Sequence, residues 1–271
     1  MSTGPARLVR HGLSLHVDDE GGSGSPVIFQ HGLCGDAAQT REAFPSHSRF
    51  RRLTLECPGH GQSEAGDPKE FSIATFTDDI VALIESLDAG PAVAGGISMG
   101  AAISLRLAVK RPDLVRGLIM ARPAWVTAAA PANMEPNALV GALLTRYPPE
   151  EAHRIFQRSD IAKHLSQVAP DNLKSLEGFF ERQAYEVTAA LLTKISADGP
   201  GASEAEVRAL AIPTLVIGTD HDFIHPLSYA QTLAHLIPTA KFKAITSKVV
   251  SKELYVSDFH AAVTQFLGEC L

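Results

Sequence analysis

The segment that most restricts the fold of this chain runs from Ala92 to Val109. The apolar stretch Ala92-Val93-Ala94 leads into Gly96-Ile97-Ser98-Met99-Gly100. A helix-forming run follows, Ala101-Ala102-Ile103-Ser104-Leu105-Arg106-Leu107-Ala108-Val109. Strand, Gly-x-Ser-x-Gly, helix is the order in which a sharp turn lifts a serine hydroxyl above the end of a sheet. The turn is crowded, so the flanking positions must be almost free of side chain, and glycine supplies that. The five-residue pattern alone is weak. Its place between a strand and a helix gives it meaning.

The rest of the chain alternates in the same way. Leu8-Val9-Arg10 and Leu13 to Val17 read as a hairpin around His11-Gly12, and Pro26 to Gln30 and Leu53 to Leu55 as buried strands. A short helix is expected from Asp36 to Phe44. Phe71 to Leu87 repeats its apolar residues at helical period, with Asp78 and Asp79 expected on the outer face. Leu114 to Met120 is the next strand. Alternating strands and helices imply a parallel sheet with right-handed crossovers. From Pro123 to about Ala211 no strand is expected. Leu139–Leu144, Glu150–Gln157, Ile161–Ser166, Leu173–Phe180 and Glu186–Ile195 look helical, punctuated by prolines and glycines. The alternation resumes with a strand at Pro213–Gly218, a helix at Leu227–Leu236, a strand at Lys241–Ile245 and a helix at Lys252–Leu267.

Composition removes several function classes. The 271 residues are 45% hydrophobic and 20% charged, enough to bury a full sheet and leave a cleft. The net charge is −6, and the tightest basic cluster, Arg49-Phe50-Arg51-Arg52, runs into a strand, so no nucleic-acid partner is expected. Cys34, Cys57 and Cys270 are odd in number and widely spaced, which fits a reducing compartment and no zinc pattern. The N-terminus lacks an apolar signal core, and no run of 18 apolar residues exists, so a cytoplasmic protein with no membrane partner is expected.

A serine hydroxyl is a poor nucleophile near neutral pH. It needs a base, a group to orient the base, and donors for the oxyanion. His31-Gly32-Leu33-Cys34-Gly35 follows directly after a strand. The backbone N–H of Leu33 is therefore the expected oxyanion donor, together with that of Met99 after the serine.

With these pieces in place, the chain resembles the α/β-hydrolase fold superfamily. The resemblance rests on His31 to Gly35, Pro58-Gly59-His60-Gly61-Gln62-Ser63, the Gly96 to Gly100 turn, and Gly218 through Pro226, in the family's order. It implies a mostly parallel eight-stranded sheet flanked by helices, with a helical cap inserted after the sixth strand. Residues 1–122 and 212–271 would form the core, and 123–211 the cap. His60 would be structural. The family's acid stands four residues before a proline, where Asp222 fits better than Asp220. The family's histidine follows the last strand, yet 246–255 contains none. His260, in the final helix, is the first choice for the base, with His221 and His225 beside the acid as alternatives. The catalytic set expected is thus Ser98, Asp222 and His260. His31, Arg122 and Trp125 are candidates for the substrate pocket, Arg122 as a partner for a substrate carboxylate.

Serine at position 98 favours acyl transfer to water. The expected function is a cofactor-free serine hydrolase acting on a small carboxylic ester, thioester or lactone. A ligand-binding protein that has lost its base, or a lyase or C–C hydrolase on the same scaffold, is the alternative. No cofactor and no metal are expected. The partner is a small-molecule substrate, with a homodimer allowed.

Overall fold

The computed structural model describes residues 6–46 and 49–270. Eight strands form one sheet: β1 (Arg7–Arg10), β2 (Leu13–Asp19), β3 (Ser25–Gln30), β4 (Phe50–Leu55), β5 (Ala92–Ile97), β6 (Val115–Ala121), β7 (Thr214–Gly218) and β8 (Ala240–Ala244). Their spatial order is β1-β2-β4-β3-β5-β6-β7-β8. β1–β2 and β2–β4 are antiparallel, and every pairing from β4 to β8 is parallel. The helices of the sheet region are α1 (Ala37–Ala43), α2 (Ile73–Ser86) and α3 (Met99–Lys110), with α10 (Leu227–Leu236) and α11 (Lys252–Glu269) after β7 and β8. Between β6 and β7 lie α4 (Glu135–Arg146), α5 (Pro149–Gln157), α6 (Asp160–Val168), α7 (Pro170–Glu177), α8 (Tyr185–Ser196) and α9 (Glu204–Arg208).

Period-two alternation sends successive side chains to opposite faces of the central strands. Val27 and Phe29 of β3, Ile119 of β6, and Leu215 and Ile217 of β7 pack with Tyr255, Phe259 and Phe266 of α11. Ile28, Leu118, Met120 and Val216 point the other way, to a core shared with Phe76 and Ile80 of α2 and with Ile103 and Leu107 of α3. Both faces are covered, so these strands read as apolar runs. β8 lies at the sheet edge and is mostly exposed, and its two lysines suit an edge that must not pair with another chain.

Two sequence expectations change. Asp79 is not on an outer face: it is 2% exposed and accepts a hydrogen bond from Arg10 Nε at 3.3 Å. The β1–β2 hairpin folds over α2 and brings that arginine to it, which no local pattern in α2 encodes. Within β4, Arg51 is paired to Asp19, and Arg52 Nη2 lies 2.8 Å from Asp18. Finally, α9 was not expected. Its Ser203–Glu206 capping box explains why so short a helix forms.

Candidate active site

Ser98 joins β5 to α3 with φ 57° and ψ −111°, a conformation that L-residues adopt only under constraint. The constraint comes from both sides. Its N–H donates to the Ala121 carbonyl of β6 at 3.0 Å, and its carbonyl accepts from Ala101 and Ala102 of α3 at 3.0 and 3.2 Å. Glycine is required at the flanks. A Cβ on Gly96 would stand 2.6 Å from the Gln30 carbonyl oxygen and 2.7 Å from the Gly100 carbonyl carbon. A Cβ on Gly100 would collide with the Gln30 carbonyl group. The Ser98 hydroxyl is not spent on capping α3.

The hydroxyl borders a cavity of about 180 Å³. β-strand ends supply its floor, with Leu33 after β3, Ser98 after β5, Arg122 after β6, and His221, Asp222 and His225 after β7. Asn137 of α4 and Asn172 of α7 line it from the helices between β6 and β7. Ser247, Lys248 and Tyr255 close it from the β8–α11 side. Ligand sites at the carboxyl ends of strands are the rule for such sheets. Backbone strain gathers here as well: Arg122 and His221 have φ of 46° and 54°.

Asp222 is the best-anchored group in the cavity. Its Oδ2 accepts from Arg122 Nε and Nη2 at 2.8 and 2.5 Å. Its Oδ1 accepts from Asn172 Nδ2 at 3.0 Å and from the His225 N–H at 3.1 Å. The Asn172 oxygen in turn accepts from the Phe223 and Ile224 N–H groups at 2.7 and 3.1 Å, fixing the loop. Burial opposes the Asp222 charge, but Arg122 and then His225 outweigh it and hold the carboxyl well below the usual carboxylate range.

His225 Nδ1 lies 2.9 and 3.0 Å from the two Asp222 oxygens. Arg122 Nη2 is also 3.2 Å from Nδ1, but both are donors, and the shorter carboxylate contacts assign the proton to Nδ1. Nε2 is then a lone-pair acceptor with no hydrogen-bond partner among the described residues. Burial lowers the His225 pKa; Asp222 raises it and Arg122 lowers it, with a net fall. The shift favours the neutral ring, the form a base needs.

The other expected residues are placed as follows. The Leu33 and Met99 amides have no acceptor among the described residues. Arg122 lines the cavity, but its charge goes to Asp222. His260 does not line the cavity, and its Nε2 bonds the Glu42 carbonyl at 2.9 Å. The expectation of His260 as base is therefore corrected: on α11 it is Tyr255, one turn and more earlier, that faces the serine's cavity. His31 and Trp125 are not cavity residues either. His31 is fully buried, with Nδ1 on the Gly32 carbonyl at 2.8 Å and Nε2 accepting from Cys57 N–H at 3.1 Å. Trp125 is 2% exposed and donates to the Asp198 carbonyl at 2.9 Å, which makes it a plug under the inserted helices. His60 is equally buried, held by Cys34 N–H and the Pro58 carbonyl, both at 3.0 Å. The residue that sequence reasoning passed over is Lys248, which reaches the cavity from the loop after β8. A lysine in a Ser-Lys-Val loop carries no local signal.

Among the described residues no cluster of histidine, cysteine, aspartate and glutamate has metal-binding geometry, and no helix is long and apolar enough to cross a membrane.

The sequence and the fold both have relatives. Residues 25–247 match the model of the alpha/beta hydrolase fold family. The chain is 28% identical over 247 residues to 2-hydroxymuconate semialdehyde hydrolase of Pseudomonas sp. (strain CF600), covering 86% of this chain and 83% of that protein. It is 26% identical over 277 residues to the sn-1-specific diacylglycerol lipase ABHD11 of Mus musculus, covering 94% and 85%. Among solved structures, the enol-lactonase from Burkholderia xenovorans LB400 superposes with a TM-score of 0.73 at 24% identity, over 97% of this chain and 99% of that one. The strained serine turn, the strand order and the extent of these matches lead to one assignment: the chain belongs to the alpha/beta hydrolase fold family.

Proposed function

We propose that the protein is a cofactor-free serine hydrolase that cleaves a small carboxylic ester, thioester or lactone through an acyl-enzyme. Ser98 is the nucleophile, His225 the base and Asp222 the acid that orients it. One observation carries this reading. A serine held in a strained turn shares its cavity with an imidazole whose Nδ1 is fixed by a buried carboxylate and whose Nε2 has no partner among the described residues.

The Ser98 oxygen attacks the substrate carbonyl, and its proton passes to His225 Nε2. The oxyanion is received by the Leu33 and Met99 N–H groups, which have no acceptor of their own. Collapse breaks the bond to the leaving alcohol or thiol, which takes the proton from Nε2. Water then attacks the acyl-enzyme by the same route and restores Ser98. The same attack would serve an activated C–C bond. A relative named a semialdehyde hydrolase supports hydrolysis in general and does not choose among these bonds. A cytoplasmic setting belongs to the proposal and is supported by free thiols at Cys34, Cys57 and Cys270.

A specific observation favours a second reading, a ligand-binding protein. The Asp222 carboxylate is already paired with Arg122, and the β8–α11 side of the cavity offers Lys248 and Tyr255 rather than a histidine. Hydrolysis of p-nitrophenyl acetate separates the two. The hydrolase reading expects turnover that Ser98→Ala abolishes and His225→Gln lowers about 10²-fold or more. A folded wild-type protein with no turnover above Ser98→Ala selects the binding reading.

A further inference from the structure

The Ser98 cavity states more about its occupant than the reaction class. Its volume of about 180 Å³ leaves room for a compact molecule beside Ser98. Asn137 of α4 lines it, but its Oδ1 is closed off from solvent, with no hydrogen-bond partner among the described residues, so that atom is not offered to an occupant.

The cavity also contains a cation without a close counter-ion. Arg122 is matched by Asp222 at 2.5 Å. Lys248 has no such match. The carboxylate within ion-pair range of it is Glu42 at 3.9 Å, and Glu42 is itself held by Lys252 at 2.6 Å. Asp171 also lines the cavity, but no ion pair joins it to Lys248. The Lys248 ammonium stacks 4.7 Å above the Tyr255 ring, which fixes its position on that wall. Burial and the nearby Arg122 charge both disfavour its protonated form, and Glu42 and Asp171 only partly offset them. An anion in the cavity would reverse that balance.

We propose that the site is selective for small acyl compounds that carry a carboxylate, with Lys248 receiving the carboxylate. The proposal rests on the hydrolase reading and narrows it to a substrate class. Lys248 then acts as an anion-binding residue in the loop after β8 and takes no part in proton transfer.

The test compares monomethyl succinate with methyl 4-methylpentanoate, a neutral ester of the same shape. The expected kcat/KM ratio favours the anionic ester at least tenfold. In Lys248→Met the ratio falls towards one, and in Lys248→Arg it is largely kept. Because the ratio is taken within one variant, partial unfolding cannot imitate its loss. A second arm needs no turnover. Succinate should raise the melting temperature of Ser98→Ala, succinamide should not, and Ser98→Ala/Lys248→Met should lose the effect. A ratio near one in the wild type, or a ratio unmoved by Lys248→Met, overturns the proposal and leaves the hydrolase reading intact. Absent turnover with a Lys248-dependent succinate shift overturns the hydrolase reading and leaves the anion site standing.

Discussion

Replacing Arg122 with Met tests the electrostatics of the cavity most searchingly, because it predicts two effects of different kind. Arg122 and Asp222 side chains are 15% and 4% exposed, and the guanidinium meets the carboxylate with two nitrogens. Removing one partner of a buried pair leaves a charge without compensation, which costs about 3–5 kcal/mol. Asp222 would keep its bonds to Asn172 and to the His225 N–H and Nδ1, so the lower end, about 3 kcal/mol, is expected. At roughly 2–4 °C per kcal/mol in a chain of this size, the melting temperature should fall by about 6–12 °C at pH 7. The carboxyl of Asp222 is held below its unfolded value, so its stabilisation is present above the unfolded carboxylate range and is lost as pH falls through the folded value. The gap between wild type and Arg122→Met should therefore narrow in strong acid, below about pH 4. The second effect is on catalysis. Arg122 lowers the His225 pKa, so its removal raises it. A base must be neutral to act, so the acidic limb of the kcat/KM profile should move to higher pH in the variant. Differential scanning calorimetry and a pH–rate profile on p-nitrophenyl acetate read the two effects. A limb that moves to lower pH, or a melting temperature unchanged at pH 7, would refute the reasoning.

Other outcomes follow from the same geometry. Gly100→Ala puts a methyl 2.7 Å from the Gln30 carbonyl carbon, an overpacking that costs about 1–3 kcal/mol, and esterase activity should disappear alongside a lower melting temperature. In the native protein Cys270, the half-buried thiol, should react first with iodoacetamide at pH 8, whereas burial pushes Cys34 up to about 12 and leaves it inert; peptide mapping checks the order. His260→Ala, which removes a hydrogen bond to the Glu42 carbonyl on the far side of α1, should keep its ester turnover within about twofold of the wild type, as surface changes away from a site usually do.

Much of this molecule was legible because its signals are local. The Gly-x-Ser-x-Gly turn, the apolar runs of β3, β5, β6 and β7, and the helical period of α2 are each carried by fewer than about twenty neighbouring residues. The family resemblance pointed to Asp222, four residues before Pro226, and the structure puts that carboxylate in the serine's cavity. What escaped depends on pairings across the chain. Arg122 meets Asp222 from 100 residues away, and no periodicity foretells whether a strand-end arginine will face a substrate or a neighbouring carboxylate. Asp79 looked exposed because its partner Arg10 lies on a different element, 69 residues distant. Trp125, a pocket candidate by position, proved to be packing, because its indole N–H found a backbone carbonyl, as a buried tryptophan requires. The histidine was hardest. Loop geometry turns the His225 ring onto Asp222, and helix phase turns the His260 ring onto the Glu42 carbonyl, and neither is written in the local sequence.

The most direct measurement is the rate at which a fluorophosphonate labels the intact protein, with the modified residue located by peptide mass. Wild type and His260→Ala should both label at Ser98, and His225→Gln should label at least about 100-fold more slowly, the usual cost of losing a general base. A folded wild-type protein that stays unlabelled, or a His225→Gln variant that labels as fast as the wild type, would contradict the central claim that Ser98 is activated by the imidazole on Asp222.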